Sequence, residues 1–213
     1  MGGKTPPFRD KIAGYILAGG MSSRLGRDKA LVELGGRPLL MHIHALLATV
    51  VSHVTVVAPR RYSALPVDVI PDEWPGYGPL GGIVTALRHT GLEMPEREWN
   101  LILGCDMPFL TRDWLVYLAE RTQGSDADVL VPRTAQGLVE PLCAAYRTRC
   151  AAALAVALDR GVRKITNGLA ALAMEHVDEA AWKKFDSGGL LFKNMNTPED
   201  YEEVRAAWET RKP

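Results

Sequence analysis

The sequence predicts a three-layer α/β/α domain of Rossmann-like build, its sheet mainly parallel with an antiparallel strand. Two observations carry this. Short apolar runs rich in valine, isoleucine and leucine alternate along the chain with amphipathic helical stretches, the order that lays a parallel sheet between two helical layers. The connection 133–138 between two of those runs is too short and too polar for a crossover helix, so that pair of strands runs antiparallel. Nothing repeats and no linker divides the 213 residues. Residues 1–213 therefore read as a single domain in which 1–11 form a loose leader.

The elements follow in order. Residues 12–18 are an apolar first strand. A glycine- and serine-rich basic loop, 19–29, comes next. Residues 30–34 are strand-like and end at the Gly35-Gly36 turn. Pro38 then opens a helix over 39–50, since proline costs nothing in a first turn. Leu40, Ile43, Leu47 and Val50 give that helix an apolar stripe. His42 and His44 lie two apart and face different ways, which makes metal binding by the pair a poor reading. Residues 53–58 and 67–70 are strands two and three. The Gly/Pro-dense run 74–83 is a loop, and Gly81-Gly82 lead into a helix over 83–90. Residues 100–104 are the fourth strand. Thr111 caps a helix over 113–121, with Trp114, Leu115 and Leu118 inward. Strands at 128–132 and 139–146 form the antiparallel pair. An alanine-rich helix at 148–159, a basic turn at 161–168 and strands at 173–177 and 190–192 follow. Thr197-Pro198-Glu199-Asp200 is a helix start with its cap, its first-turn proline and its acids in place.

Composition narrows the function. Lys+Arg and Asp+Glu are both 25, a net charge of zero. A nucleic-acid or anionic-membrane binder would show a basic excess. A small anionic ligand needs only a local cluster. No run of about 18 apolar residues exists, so no membrane span is expected. The N-terminus lacks the apolar centre of a secretory signal. Cys105, Cys143 and Cys150 are odd in number and form no C-x-x-C pair, which favours a cytoplasmic protein over a disulfide or zinc scaffold.

Residues 15–31, YILAGGMSSRLGRDKAL, are the stretch that carries chemistry. A strand that breaks into glycines, hydroxyls and spaced cations suits phosphate, because free backbone N–H groups and the Arg and Lys side chains converge on an anion. It is not a Walker A loop, since Lys29 is followed by Ala30, and no G-x-G-x-x-G runs through Gly19, Gly20 and Gly26. The loops 19–29, 72–82 and 105–110 all leave the carboxyl ends of strands and meet at one crevice. There Arg24 and Lys29 would neutralise a triphosphate. Asp106, directly after a buried strand, would hold the Mg²⁺ that bridges its oxygens. Asp28 and Asp72 read first as pins of their own loops. Asn194 and Asn196 are amides of a strand-to-helix turn that could orient phosphate or metal-bound water. The basic run 160–164 reads as a solvated turn.

LAGGMSSRLGRDKAL resembles the L-A-G-G-x-S-x-R-[ML]-G-x-D-K-A-L signature of nucleotidyltransferases. GPLGGI at 78–83 and CDMPFL at 105–110 resemble the second and third motifs of the molybdenum cofactor guanylyltransferases, and VEPLCAAY and NMNTPED their later ones. The matches keep the family's order from residue 16 to 201. The resemblance implies a nucleotidyltransferase fold and the transfer of GMP from GTP to molybdopterin with release of pyrophosphate. By the same resemblance Leu17, Ala18, Gly19 and Gly20 hold the nucleotide through backbone groups, Gly78 walls the site, and Lys29 binds phosphate. Asp72 contacts the nucleoside, Asp106 binds Mg²⁺ and GTP, Arg24 braces the triphosphate, and Asn194 and Asn196 lie near the metal and pterin. Transient contacts with cofactor-biosynthesis or molybdoenzyme-chaperone proteins are implied as well. Val57 departs from the pattern, standing where some members carry an Asn that touches the nucleotide. Cytidylyl or sugar-phosphate transfer on the same fold, and a non-catalytic nucleotide-binding module, remain the alternatives.

Overall fold

A computed structural model describes residues 8–19, 28–59, 62 and 64–210. The strands are β1 (Ile12–Leu17), β2 (Glu33–Leu34), β3 (Arg37–Pro38), β4 (Val54–Val57), β5 (Asp68–Ile70), β6 (Trp99–Gly104), β7 (Val129–Arg133), β8 (Cys143–Arg147) and β9 (Met174–Asp178). The helices are α1 (Leu39–Ala48), α2 (Pro79–Glu93), α3 (Arg112–Arg121), α4 (Cys150–Asp159), α5 (Ile165–Leu169), α6 (Glu179–Trp182) and α7 (Pro198–Thr210). Seven strands form one sheet in the order β5-β4-β1-β6-β8-β7-β9. β1 pairs in parallel with both β4 and β6. β8 runs antiparallel to both of its neighbours, β6 and β7, and the pairing with β7 is the one the short 133–138 connection predicts.

Side chains of β1 alternate between two cores, as the strand's period of two dictates. Ile12 and Ile16 face α1 and α3, meeting Leu40, Ile43, Leu47, Trp114 and Leu118. Ala13 and Tyr15 face α2 and α4, meeting Ile83, Val84, Leu87 and Leu154. This is the expected three-layer arrangement. A smaller cluster of Leu34, Leu39, Phe109, Met195 and Val204 docks α7 beside the β2–β3 hairpin.

Several details differ from the sequence expectation: residues 165–169, read as part of a turn, form α5, and the strand read over 139–146 begins only at Cys143. Phe8 is buried and Arg9 donates to the Ala48 carbonyl at 3.1 Å, so these two residues are packed rather than loose, while Asp10 and Lys11 are exposed. Residues 29–31 form a 3-10 turn, which leaves only two residues for β2. Residues 190–192 are a turn and not a strand. Asp186 Oδ1 accepts from Leu190 N at 2.8 Å and Leu191 N at 2.9 Å, which removes the donors a ladder would use. Helix α2 begins at Pro79, so Gly81 and Gly82 lie inside it. Glycine weakens a helix interior, but a Cβ at Gly81 would lie 2.8 Å from the Trp74 carbonyl oxygen, so close approach of the loop overrides propensity.

Helix α7 starts as its sequence predicts. Thr197 Oγ1 accepts from Asp200 N at 3.1 Å, and Asp200 Oδ2 accepts from Thr197 N at 3.0 Å, a reciprocal cap. Among the described residues no helix is long and apolar enough to cross a membrane.

Candidate active site

β1 and β6 lie side by side, and their carboxyl ends bring the first and third loops together. Lys29 sits in the 3-10 turn beyond the first loop, and Asp106 stands two residues after β6. Their charged groups are 3.5 Å apart, with side-chain exposures of 16% and 20%. Lys29 Nζ also donates to Asn196 Oδ1. The 190–197 segment reaches this point because Met195 N donates to the Asp106 carbonyl at 3.0 Å, while the Met195 side chain is fully buried. A carboxylate and an amide oxygen, contributed by segments ninety residues apart, thus converge on one cation. Asn194 is half-buried in the same segment.

Gly104 explains how Asp106 is aimed. A Cβ there would stand 2.8 Å from Asp106 Oδ1 and 3.4 Å from the Leu142 Cβ. The carboxylate occupies the space a side chain at 104 would fill.

The second loop closes the other wall. Leu17 lies half-buried at the end of β1, and a Cβ on Gly82 would be 3.2 Å from its Cδ1, so α2's first turn lies against the strand end. Gly78 caps α2 and is exposed, as is Gly19, while Ala18 is buried and donates to the Val57 carbonyl at 3.0 Å. The α2 N-terminus therefore offers its positive dipole end at the strand ends, where an anion is stabilised. Asp72 pins its loop: Oδ1 accepts from Trp74 N at 2.9 Å and from Thr85 Oγ1 at 2.9 Å. Asp28 pins the first loop, since Oδ1 accepts from Ala30 N at 3.3 Å and from the buried Tyr62 hydroxyl. Val57 points into the α2-side core at 3% exposure. Gly20 and Arg24 lie outside the described residues.

A sequence model of the MobA-like NTP transferase domain matches residues 14–177. The chain belongs to that family. It is an enzyme of the nucleotidyltransferase class. A molybdenum cofactor guanylyltransferase of Syntrophotalea carbinolica is 33% identical over 192 residues, covering 89% of each chain. The crystal structure of molybdopterin-guanine dinucleotide biosynthesis protein A from Archaeoglobus fulgidus superposes with a TM-score of 0.81 at 26% identity, over 93% of this chain and 99% of that one. A nucleotidyl transferase from Methanothermobacter, at 19% identity, shares the fold with a TM-score of 0.71 over 95% and 99% of the two chains.

Among the described residues, the thiol beside this site is not an activated nucleophile. Burial, and then the Asp106 charge, push the Cys105 thiol up to about 12, so it stays protonated and inert at neutral pH. The groups that accept from Lys29 present oxygens, a ligand type that suits a hard ion such as Mg²⁺. Among the described residues no three His, Cys, Asp or Glu side chains cluster as a metal cage.

Glu140 was missed by motif reading, although it stands inside the quoted VEPLCAAY run. It lies three residues before β8, in a segment whose Leu142 carbonyl accepts from Gly104 N at 2.7 Å beside the Asp106 loop. Burial, and then the Asp106 charge, push its carboxyl up from 4.5 to about 7. The folded state therefore favours protonated Glu140. That contribution to stability is full below pH 4.5 and lost as pH rises through about 7. The nucleotide-free Glu140→Gln variant should gain melting temperature relative to wild type as pH rises from 5 to 8. Differential scanning fluorimetry at fixed ionic strength reads this, and a pH-independent difference would contradict it.

Proposed function

We propose that this chain transfers GMP from GTP to the terminal phosphate of molybdopterin, in the cytoplasm, forming the guanine dinucleotide form of the molybdenum cofactor. The observation that carries the reading is the meeting of Lys29, Asp106 and Asn196 at the β1 and β6 ends, in a chain of this family. The acceptor phosphate oxygen attacks the α-phosphorus in line. The bond from that phosphorus to the bridging oxygen breaks, and pyrophosphate leaves with the electron pair. No covalent enzyme intermediate is needed, so positioning and charge neutralisation supply the rate.

Lys29 neutralises phosphate charge, and Arg24 braces the triphosphate. Leu17, Ala18, Gly19 and Gly20 present backbone groups to the nucleotide. Gly78, at the head of α2, and Asp72, which holds the second loop, form the opposite wall. Asp106 and the Asn196 amide oxygen would hold Mg²⁺, with Asn194 beside them. Mg²⁺, when bound, supplies countercharge and orientation to the phosphates.

Thermal shift with GTP, CTP, UTP and ATP, each with and without Mg²⁺, tests the reading. A ligand at 100 times its Kd stabilises by about 2.7 kcal/mol. GTP with Mg²⁺ is expected to raise the melting temperature most. A CTP-selective response would point to cytidylyl transfer instead.

A further inference from the structure

We propose that Arg163, in the basic turn after α4, is a positioning residue that holds the second nucleotide loop in shape. The proposal rests on the reading above that this loop walls the GTP site. The Arg163 guanidinium carbon lies 3.7 Å from the centroid of the Tyr77 ring. Tyr77 immediately precedes Gly78, the cap of α2. From the other side, the Arg88 guanidinium stands 5.4 Å from the Trp74 ring and pairs with Glu73 at 3.0 Å. The two aromatic residues of the loop are therefore each covered by an arginine, one from α2 and one from the turn between α4 and α5.

The loop needs this outer support. Its inner side is held by Trp74 N to Asp72, Tyr77 N to the Trp74 carbonyl at 3.1 Å, and the Trp74 carbonyl pressed onto Gly81. Trp74 and Tyr77 pack in part on the α2-side core, but Pro71, Glu73, Pro75, Gly76, Gly78 and Pro79 are all exposed, so the loop's apolar anchoring rests on those two rings. A planar cation stacked on Tyr77 removes freedom from the residue next to the α2 cap at small entropic cost, because the guanidinium is flat and always charged. Lysine lacks that plane. Among the described residues Arg163 stacks on Tyr77, the residue next to the α2 cap, and that contact is the route by which it acts on the nucleotide loop.

The test is the kinetics of the full-length enzyme. Arg163→Ala should raise the KM for GTP about three- to five-fold, the size of an exposed cation–aromatic contact, with kcat within two-fold. The KM for the pterin acceptor should not move. Arg163→Lys should fall between wild type and Arg163→Ala. Tyr77→Leu should raise the GTP KM to a similar extent, and the double variant should be no worse than the weaker single one, because both remove one contact. Unchanged GTP KM in Arg163→Ala would overturn the proposal, as would additive losses in the double variant. So would a rise in the acceptor KM alone, which would make the turn an acceptor-phosphate grip. If wild type itself is not stabilised by GTP, it is the underlying reading that fails. If wild type responds and Arg163→Ala binds GTP equally well, the positioning role alone fails.

Discussion

Asparagine at position 106 is expected to lower guanylyl transfer by about a thousand-fold, the scale of losing one preorganised charge from a transfer centre. The substitution keeps the side chain's shape over Gly104 and leaves the Met195–Asp106 backbone bond intact. What it removes is the charge that faces Lys29 and would hold Mg²⁺. Stability should change by less than about 1 kcal/mol, because a partly exposed ion pair contributes little to folding. Lys29→Ala should lose activity on a similar scale, since the same ammonium serves both Asp106 and Asn196. Pyrophosphate release at saturating GTP, measured beside the melting temperature, separates lost chemistry from lost fold. Turnover close to wild type in either variant would remove these residues from the site.

Trp114→Ala is expected to destabilise the fold by about 3–5 kcal/mol, the usual range for emptying a buried aromatic site. The indole is fully buried, and its Nε1 donates to Cys143 Sγ at 3.2 Å. Its ring lies 5.7 Å from Phe192 and 5.9 Å from Phe185. It thus ties α3 to β8 and to the segment that delivers Asn194 and Asn196 to Lys29. Urea denaturation reads the stability loss, and activity should fall before the fold does, because the 190–197 segment loses its packing. Trp114→Phe keeps most of the volume and should cost less than half as much. A loss under about 1 kcal/mol for alanine would show that this core is not the support described.

Much of the fold was legible because β1, β4 and β6 are buried on both faces and therefore read as unbroken apolar runs. The start of α7 was legible because its cap, proline and acids are local signals. The same holds for Lys29 and Asp106, which lie in motifs next to strand ends. Other features depend on contacts between segments far apart in sequence. Gly81 and Gly82 read as a loop until Trp74 and Leu17 are seen against them. The 190–192 turn is set by Asp186, which a β-rich triplet cannot reveal. Glu140 lies in a motif whose sequence does not single it out, and Arg163 lies in a basic turn that reads as solvated. Each acquires a role only when the Asp106 loop or the Tyr77 ring is placed beside it.

The most direct measurement is pyrophosphate release by the purified chain, supplied with molybdopterin, Mg²⁺ and one nucleoside triphosphate at a time. The account predicts release with GTP, dependent on molybdopterin and lost in Asp106→Asn, and little with CTP, UTP or ATP. A preference for CTP, or tight GTP binding with no pyrophosphate released, would contradict it.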